Sequence, residues 1–191
     1  MANKQIGLVR EPDVGELRQE WGTVVENLQG IDRDAAAAVV DALSVDHAGT
    51  FNLFYLLRKH YWTAEGAEFR QVAEFLREAY RRTRAINDDL AVRIVELGGV
   101  PPNTPPTLQE NARVHLEAED LYDLRTSLEG DLEGYAVLVA EMREHVGLAE
   151  EVGDPGTATR LRDHLRDLEA DAHAVERFLE DDALVGERRD G

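Results

Sequence analysis

The sequence has no cysteine, which excludes disulfides, thiolate metal sites and cysteine nucleophiles. Lysine is almost missing as well: only Lys4 and Lys59 occur, so arginine supplies 19 of the 21 basic residues. No run of 18 apolar residues exists, and the opening MANKQIGLVREPD has no apolar signal-peptide core, so the expectation is a cytoplasmic protein with no membrane partner. There is no phosphate-binding glycine loop, serine elbow or zinc-finger spacing, and those enzyme classes have no support. Proline is scarce, and four of the six, Pro101, Pro102, Pro105 and Pro106, fall in one stretch, which marks a loop because proline breaks helix interiors.

What the chain has in excess is acid: 39 Asp and Glu give a net charge of −18 and a pI near 4.6 over 191 residues. With 43% apolar residues, this is enough for about one domain with an ordinary core. A surface rich in carboxylates and nearly free of lysine resembles proteins of salt-loving archaea, where at about 1 M salt the Debye length is roughly 3 Å and like charges are screened. The same charge argues against direct DNA binding, since phosphate contacts need clustered Lys and Arg. The strongest basic cluster, Arg77, Arg81, Arg82 and Arg84, is short and lies within an expected helix.

Apolar residues recur at helical spacing throughout. Val39, Leu43, His47, Thr50, Phe54 and Leu57 form one stripe and predict a helix over 34–61, with Asp32 and Asp34 as candidate N-caps. Phe69, Val72, Leu76, Ala79, Thr83, Ile86, Leu90 and Ile94 predict a second over 67–97, ended by Gly98 and Gly99. After the proline loop, which has room for a short helix, Leu121 through Val146 predict a third over 119–151, and Ala158 through Leu179 a fourth over 157–181. No segment alternates as a strand. Four long helices with one long connection match an all-α, ferritin-like four-helix bundle with a crossover loop. Three regions are expected: an N-terminal extension (1–33), the bundle (34–182) and a flexible acidic tail (183–191). In the extension, Val14, Leu17, Trp21, Val24, Val25 and Leu28 share a helical face, ended by Gly30, and predict an amphipathic helix that docks on its own bundle or on a neighbouring subunit.

Within this architecture the segment Lys59-His60-Tyr61-Trp62-Thr63-Ala64-Glu65-Gly66-Ala67-Glu68-Phe69 resembles the hallmark of the Dps family of ferritin-like mini-cages. The likeness runs on through Leu97-Gly98-Gly99-Val100-Pro101, through Tyr122 to Leu128 and into the last helix, and it looks closest to members from halophilic archaea. The resemblance implies a dodecameric shell that stores iron and protects DNA, with an iron-oxidising site shared by two subunits at a twofold interface.

Carried over position by position, that site fails. The family's two histidines correspond to Tyr61 and Ala73, the acid four residues after the second histidine corresponds to Arg77, the partner subunit's first acid survives as Asp88, and the glutamate four residues beyond it corresponds to Val92. Iron needs converging carboxylates and imidazoles, and a guanidinium, which keeps its proton, repels a cation. Asp88 is the one remnant ligand, iron is not expected at this site, and Arg77 and Asp88 are expected to form an ion pair across the interface in its place. Acids at the turn before the last helix, Glu150, Glu151 and Asp154, fall where the family lines a threefold cation pore. Other candidates read as structural: Glu141, Glu144 and His145, Glu169 with His173, and His115 with Glu119 as solvated face pairs, and His47 as a satisfied core histidine. His60 should point away from the family site, one residue turning about 100° on a helix. The expected function is a Dps-like cage subunit, a homo-oligomer of 12 or a co-assembly with a Dps paralogue, whose ferroxidase activity is absent or very weak. The alternatives are a working iron-storing cage with other ligands, and a helical interaction module that forms no cage.

Overall fold

The computed structural model describes residues 15–180. Among them five helices form and no strand: α1 (Arg33–Thr63), α2 (Phe69–Glu96), α3 (Pro105–Asn111), α4 (Leu124–Glu151) and α5 (Pro155–Leu179). Local chemistry sets the boundaries. The Asp32 carboxylate accepts the Asp34 and Ala35 amides at the start of α1, and Asp154 accepts the Thr157 amide at 3.0 Å ahead of Pro155. The helix expected over 119–151 begins five residues later, at Leu124, because Asp123 is the N-cap and accepts the Thr126 amide at 3.0 Å. Leu121 stays outside it and 72% exposed. The ends of α2 and α4 share one device: at Gly98 (φ +85°) and Gly153 (φ +80°) the chain turns left-handed. The amides of Gly98 and Gly99 bond back to Val95 and Ile94, as those of Gly153 and Asp154 do to Glu150 and Ala149.

The α1–α2 and α4–α5 hairpins pack on each other through α1 with α4 and α2 with α5, and the crossover carrying α3 links the two hairpins as a four-helix bundle requires. The shared interior buries Leu43, Leu53, Leu57, Leu76, Leu90, Ile94, Leu138, Met142, Leu161 and Leu168; most lie on the sequence stripes, but Leu53 and Leu138 do not, and Phe69, which heads the second stripe, is exposed. At about 1.5–3 kcal/mol for each fully buried large apolar side chain, this interior is the main stabilising term.

The amphipathic helix expected near the N-terminus does not form. Residues 15–32 run as an irregular strap with turns, and Gly22 and Gly30 take positive φ values that interrupt a helix. The strap's bonds go across the chain instead: the Val25 amide donates to the Gly98 carbonyl at 2.9 Å, and Gln19 Nε2 donates to the same carbonyl at 2.8 Å and to Thr23 O at 2.9 Å. Of its apolar residues Val24 is buried in the core and Ile31 packs against it, while Leu17, Trp21, Val25 and Leu28 are exposed. The spacing was helical, but one side chain, not a face, is buried. Val14 and the tail 183–191 lie outside the described residues.

Candidate functional site

The five positions that the family resemblance assigned to iron ligands fall into two groups along the α1–α2 hairpin. Tyr61, in the last turn of α1, leans its ring on Tyr80 with centroids 5.6 Å apart, and Ala73 is half-buried in the second turn of α2. Arg77 is one turn further on, 39% exposed, and held by its own helix: Nε donates to Glu78 Oε1 at 3.2 Å, and Nη2 lies 3.7 Å from Glu74 Oε1. Asp88 and Val92 are exposed; at 1.5 Å per residue, Asp88 is about 16 Å from Arg77 along the axis of α2. Within one chain the two groups therefore do not meet. A phenol, a methyl, a guanidinium and an isopropyl group do not fit iron, and no cluster of three or more His, Asp or Glu with metal-holding geometry occurs among the described residues.

Glu150, Glu151 and Asp154 also separate on inspection. Glu150 and Glu151 are exposed, Glu150 being bonded to Arg162. Asp154 is 1% exposed and has structural work: Oδ1 accepts the Thr157 amide and Arg93 Nη2 (2.8 Å), and Oδ2 accepts the Thr157 hydroxyl. Burial raises its pKa, but the bonds from Thr157 and Arg93 prevail and hold it below the ordinary carboxylate value. Arg93 also reaches Thr157 Oγ1 at 2.8 Å and Glu96 at 3.0 Å, tying the end of α2 to the start of α5.

His47 is a core histidine with both nitrogens used: Nε2 lies 3.0 Å from Pro102 O, and Nδ1 lies 2.9 Å from Asn87 Nδ2 and 3.1 Å from Asn87 O. Burial lowers its pKa against the bonds to the Asn87 and Pro102 carbonyls, which favours the neutral ring. His60 points into the bundle, away from the position of Tyr61. Its Nδ1 lies 2.8 Å from Asp131 Oδ1 and its Nε2 2.9 Å from Glu117 Oε1. Two carboxylate partners require two N–H donors, hence an imidazolium; burial lowers its pKa, but the two acids outweigh burial and raise it. Lys59 Nζ completes the cluster at 2.6 Å from Glu117 and donates to Ala118 O and Asp120 O, clamping the crossover to α1.

The pair Glu141 and His145 is not a solvated face pair. His145 Nδ1 bonds Asp46 Oδ2 at 2.9 Å, and Asp46 is fully buried on α1. Burial opposes the His145 charge but Asp46 prevails and raises its pKa. His173 is exposed and meets Glu176, while Glu169 meets Arg143; His115 and Glu119 are exposed in the crossover, not on a helix. Asp171 on α5, also buried, receives a bidentate Arg82 from α2, with Nη2–Oδ1 2.5 Å and Nε–Oδ2 3.1 Å. Of the four buried acids the sequence reading named only Asp154, as a pore acid, and missed Asp46, Asp131 and Asp171, although the signal was present. Asp46, Asp131 and Asp171 each follow a buried leucine by three residues (Leu43, Leu128, Leu168) and precede a buried residue by four (Thr50, Tyr135, Val175), so each sits on an apolar stripe where a carboxylate needs a partner.

Two crossed helical hairpins joined by a long crossover define a ferritin-like bundle, and the ferritin-like domain family matches residues 40–185; the chain belongs to it. Within that family it is a member of the Dps proteins. It is 48% identical over 155 residues to the DNA protection during starvation protein of Halobacterium salinarum, covering 81% of this chain and 85% of that protein. The crystal structure of an archaeal Dps homologue from Halobacterium salinarum matches with a TM-score of 0.87 at 45% identity, over 91% of this chain and 97% of the other. DpsC from Streptomyces coelicolor matches with a TM-score of 0.86 at 27% identity, over 90% and 100%. The chain thus stands close to halophilic archaeal Dps proteins. No helix among the described residues is long and apolar enough to cross a membrane.

Proposed function

We propose that this chain is a cytoplasmic cage subunit, assembling as a 12-mer or together with a Dps paralogue, in which the iron-oxidising centre between subunits has been replaced by a non-metal contact. The observation that carries this reading is the residue set Tyr61, Ala73, Arg77 and Val92 around a surviving Asp88. Arg77 weighs most, because a permanent cation a few ångströms from a divalent metal opposes its binding. In the assembled interface Arg77 faces the second subunit's acid, and the pair occupies the space a metal would need. The shell then serves as a structural or passive cation-storing compartment. Glu150 and Glu151 supply negative potential at an entry pore, while Asp154 is committed to Arg93 and Thr157. A net charge of −18 per chain makes direct retention of DNA unfavourable.

Aerobic addition of ferrous iron, followed by stopped-flow absorbance, tests the reading: the natural protein oxidises iron no faster than buffer. Changing Tyr61→His, Ala73→His, Arg77→Asp and Val92→Glu together restores oxidation, whereas the same set without the Arg77 change restores much less. Fast oxidation by the natural protein that survives Asp88→Ala would place the chemistry elsewhere and overturn the proposal.

A further inference from the structure

A groove of about 560 Å³ runs between the strap and the N-terminal half of α1, with Val100 and Asn111 beside it, a volume in the range of small-molecule sites. Val24, Ala37, Val40 and Val100 give it an apolar lining, and Trp21, 54% exposed, gives it an aromatic wall. Its charged groups are Arg33, Asp34 and Asp41, and none of the three makes an ion pair among the described residues. Elsewhere, Arg77, Arg82, Arg143, Arg160 and Arg162 each hold an acid. Here α1 offers no partner: three and four positions beyond Arg33 and Asp34 stand Ala36, Ala37 and Ala38, and the same spacings about Asp41 reach Ala37, Ala38, Ser44 and Val45. The helix dipole favours Asp34 in the first turn, but it opposes Arg33 and gives no reason for Asp41.

We infer that this groove binds a basic α-amino acid, for which L-arginine is the probe. A lining of one cation and two anions is complementary to a molecule with one anion and two cations. Arg33 takes the α-carboxylate, Asp34 the α-ammonium and Asp41 the distal guanidinium or ammonium. Asp34 and Asp41 lie on one stripe of α1, seven residues or about 10.5 Å apart along the axis. An extended aliphatic stem with a hydrogen bond of about 3 Å at each end spans that gap. The stem then rests on Ala37 and Val40, between the two acids, and Trp21 covers it while offering its ring to the cation. Trp21 belongs to the strap and the three charges to α1, so the ligand ties the strap down alongside the bonds from Val25 and Gln19 to Gly98. The groove is contained in one chain and is independent of the assembly proposed above.

Trp21 fluorescence tests the inference in a full-length chain whose other tryptophan is removed by Trp62→Phe. Titration with L-arginine at fixed molar salt should saturate the emission change, and L-lysine should compete. Agmatine, which lacks the carboxylate, and L-citrulline, whose side chain ends without charge, should each bind about tenfold more weakly, the worth of one charge-assisted hydrogen bond. Arg33→Ala should abolish the preference for L-arginine over agmatine, and Asp41→Asn the preference over L-citrulline, each leaving the other preference in place. Both substitutions are at exposed positions, and unchanged far-ultraviolet circular dichroism will show that the helices persist. Bound L-arginine should also slow proteolytic cutting within residues 15–32. No saturable response, equal responses to L-arginine and L-citrulline, or binding of L-arginine unchanged by Asp41→Asn overturns the inference. Agmatine binding as tightly as L-arginine also overturns it, since the groove then takes any organic cation.

Discussion

Replacing His60 by Gln removes the cation from between Asp131 and Glu117 while keeping a polar side chain of similar reach. Asp131 is fully buried, its Oδ2 already lacks a partner, and His60 supplies its one charged hydrogen bond, at 2.8 Å. Breaking a buried pair from one side costs about 3–5 kcal/mol; glutamine, which donates through its amide, should recover part of this and leave a loss of about 2–3 kcal/mol. The pH dependence gives a sharper signature. His60 is raised above its ordinary 6.5 by the two acids in spite of burial, so its stabilisation is fully present below about pH 6.5 and is lost as pH rises through the raised value. Glu117 is lowered: burial acts to raise it, and Lys59 and His60 overcome that. Its stabilisation is present above about pH 4.5 and is lost as pH falls through the lowered value. Asp131 is raised by burial against the His60 bond, which subtracts stability as pH climbs from 3.8. The cluster is therefore strongest in mildly acidic solution. Denaturant unfolding of the natural protein and His60→Gln should differ most near pH 6 and converge above neutrality. A difference that stays constant from pH 6 to pH 9 would show that His60 is not an imidazolium in the fold and refute the reasoning.

Gly98→Ala should be severe for its size: an added Cβ would stand 2.3 Å from the Val25 carbonyl, at a φ of +85°. Relief requires the strap to lift, forfeiting two hydrogen bonds and the burial of Val24, together about 3–4 kcal/mol; limited proteolysis should then cut within residues 15–32, and resistance equal to the natural protein would contradict this. Asp154→Ala should cost about 3–5 kcal/mol by stranding the buried Arg93 and uncapping α5, whereas Asp154→Asn keeps the cap and should cost less, as unfolding midpoints will report. Duplex DNA should run unretarded in a gel-shift assay at moderate salt without divalent cations, since −18 per subunit opposes phosphate contact; tight binding there would count against the charge argument. Moving from molar to low salt should lower the assembled mass in light scattering as the acidic surface loses screening, and a salt-insensitive monomer would count against assembly.

The bundle was readable because its signal is redundant. The stripes from Val39 to Leu57 and from Val72 to Ile94 repeat over many turns, and Gly98, Gly153 and the Pro101–Pro106 stretch punctuate them where the helices stop. The strap misled because Leu17, Trp21, Val24 and Leu28 have helical spacing, which reports a face only when something covers it; two long-range bonds, from Val25 and Gln19 to Gly98, hold the strap instead and leave no periodic trace. The proposed ligand positions needed the family motif to be found at all. Burial of Asp46 against His145, and commitment of Asp154 to Arg93, depend on which helices meet, information that spacing along one helix does not carry.

Asp46 with His145, Asp131 with His60 and Asp171 with Arg82 join α1 to α4 twice and α2 to α5 once. Each works like the notch of a key: sliding either helix by one turn, about 5.4 Å, would leave a carboxylate facing hydrocarbon, so alternative registers are rejected and not merely less favoured. Mobile ions screen charges at the surface and reach buried ones far less. A chain with a net charge of −18 thus keeps two populations of charge that answer to different masters. The outer one is set by the salt around it and governs how copies meet; the inner one is insulated from that salt and keeps each subunit in one alignment while its surroundings change.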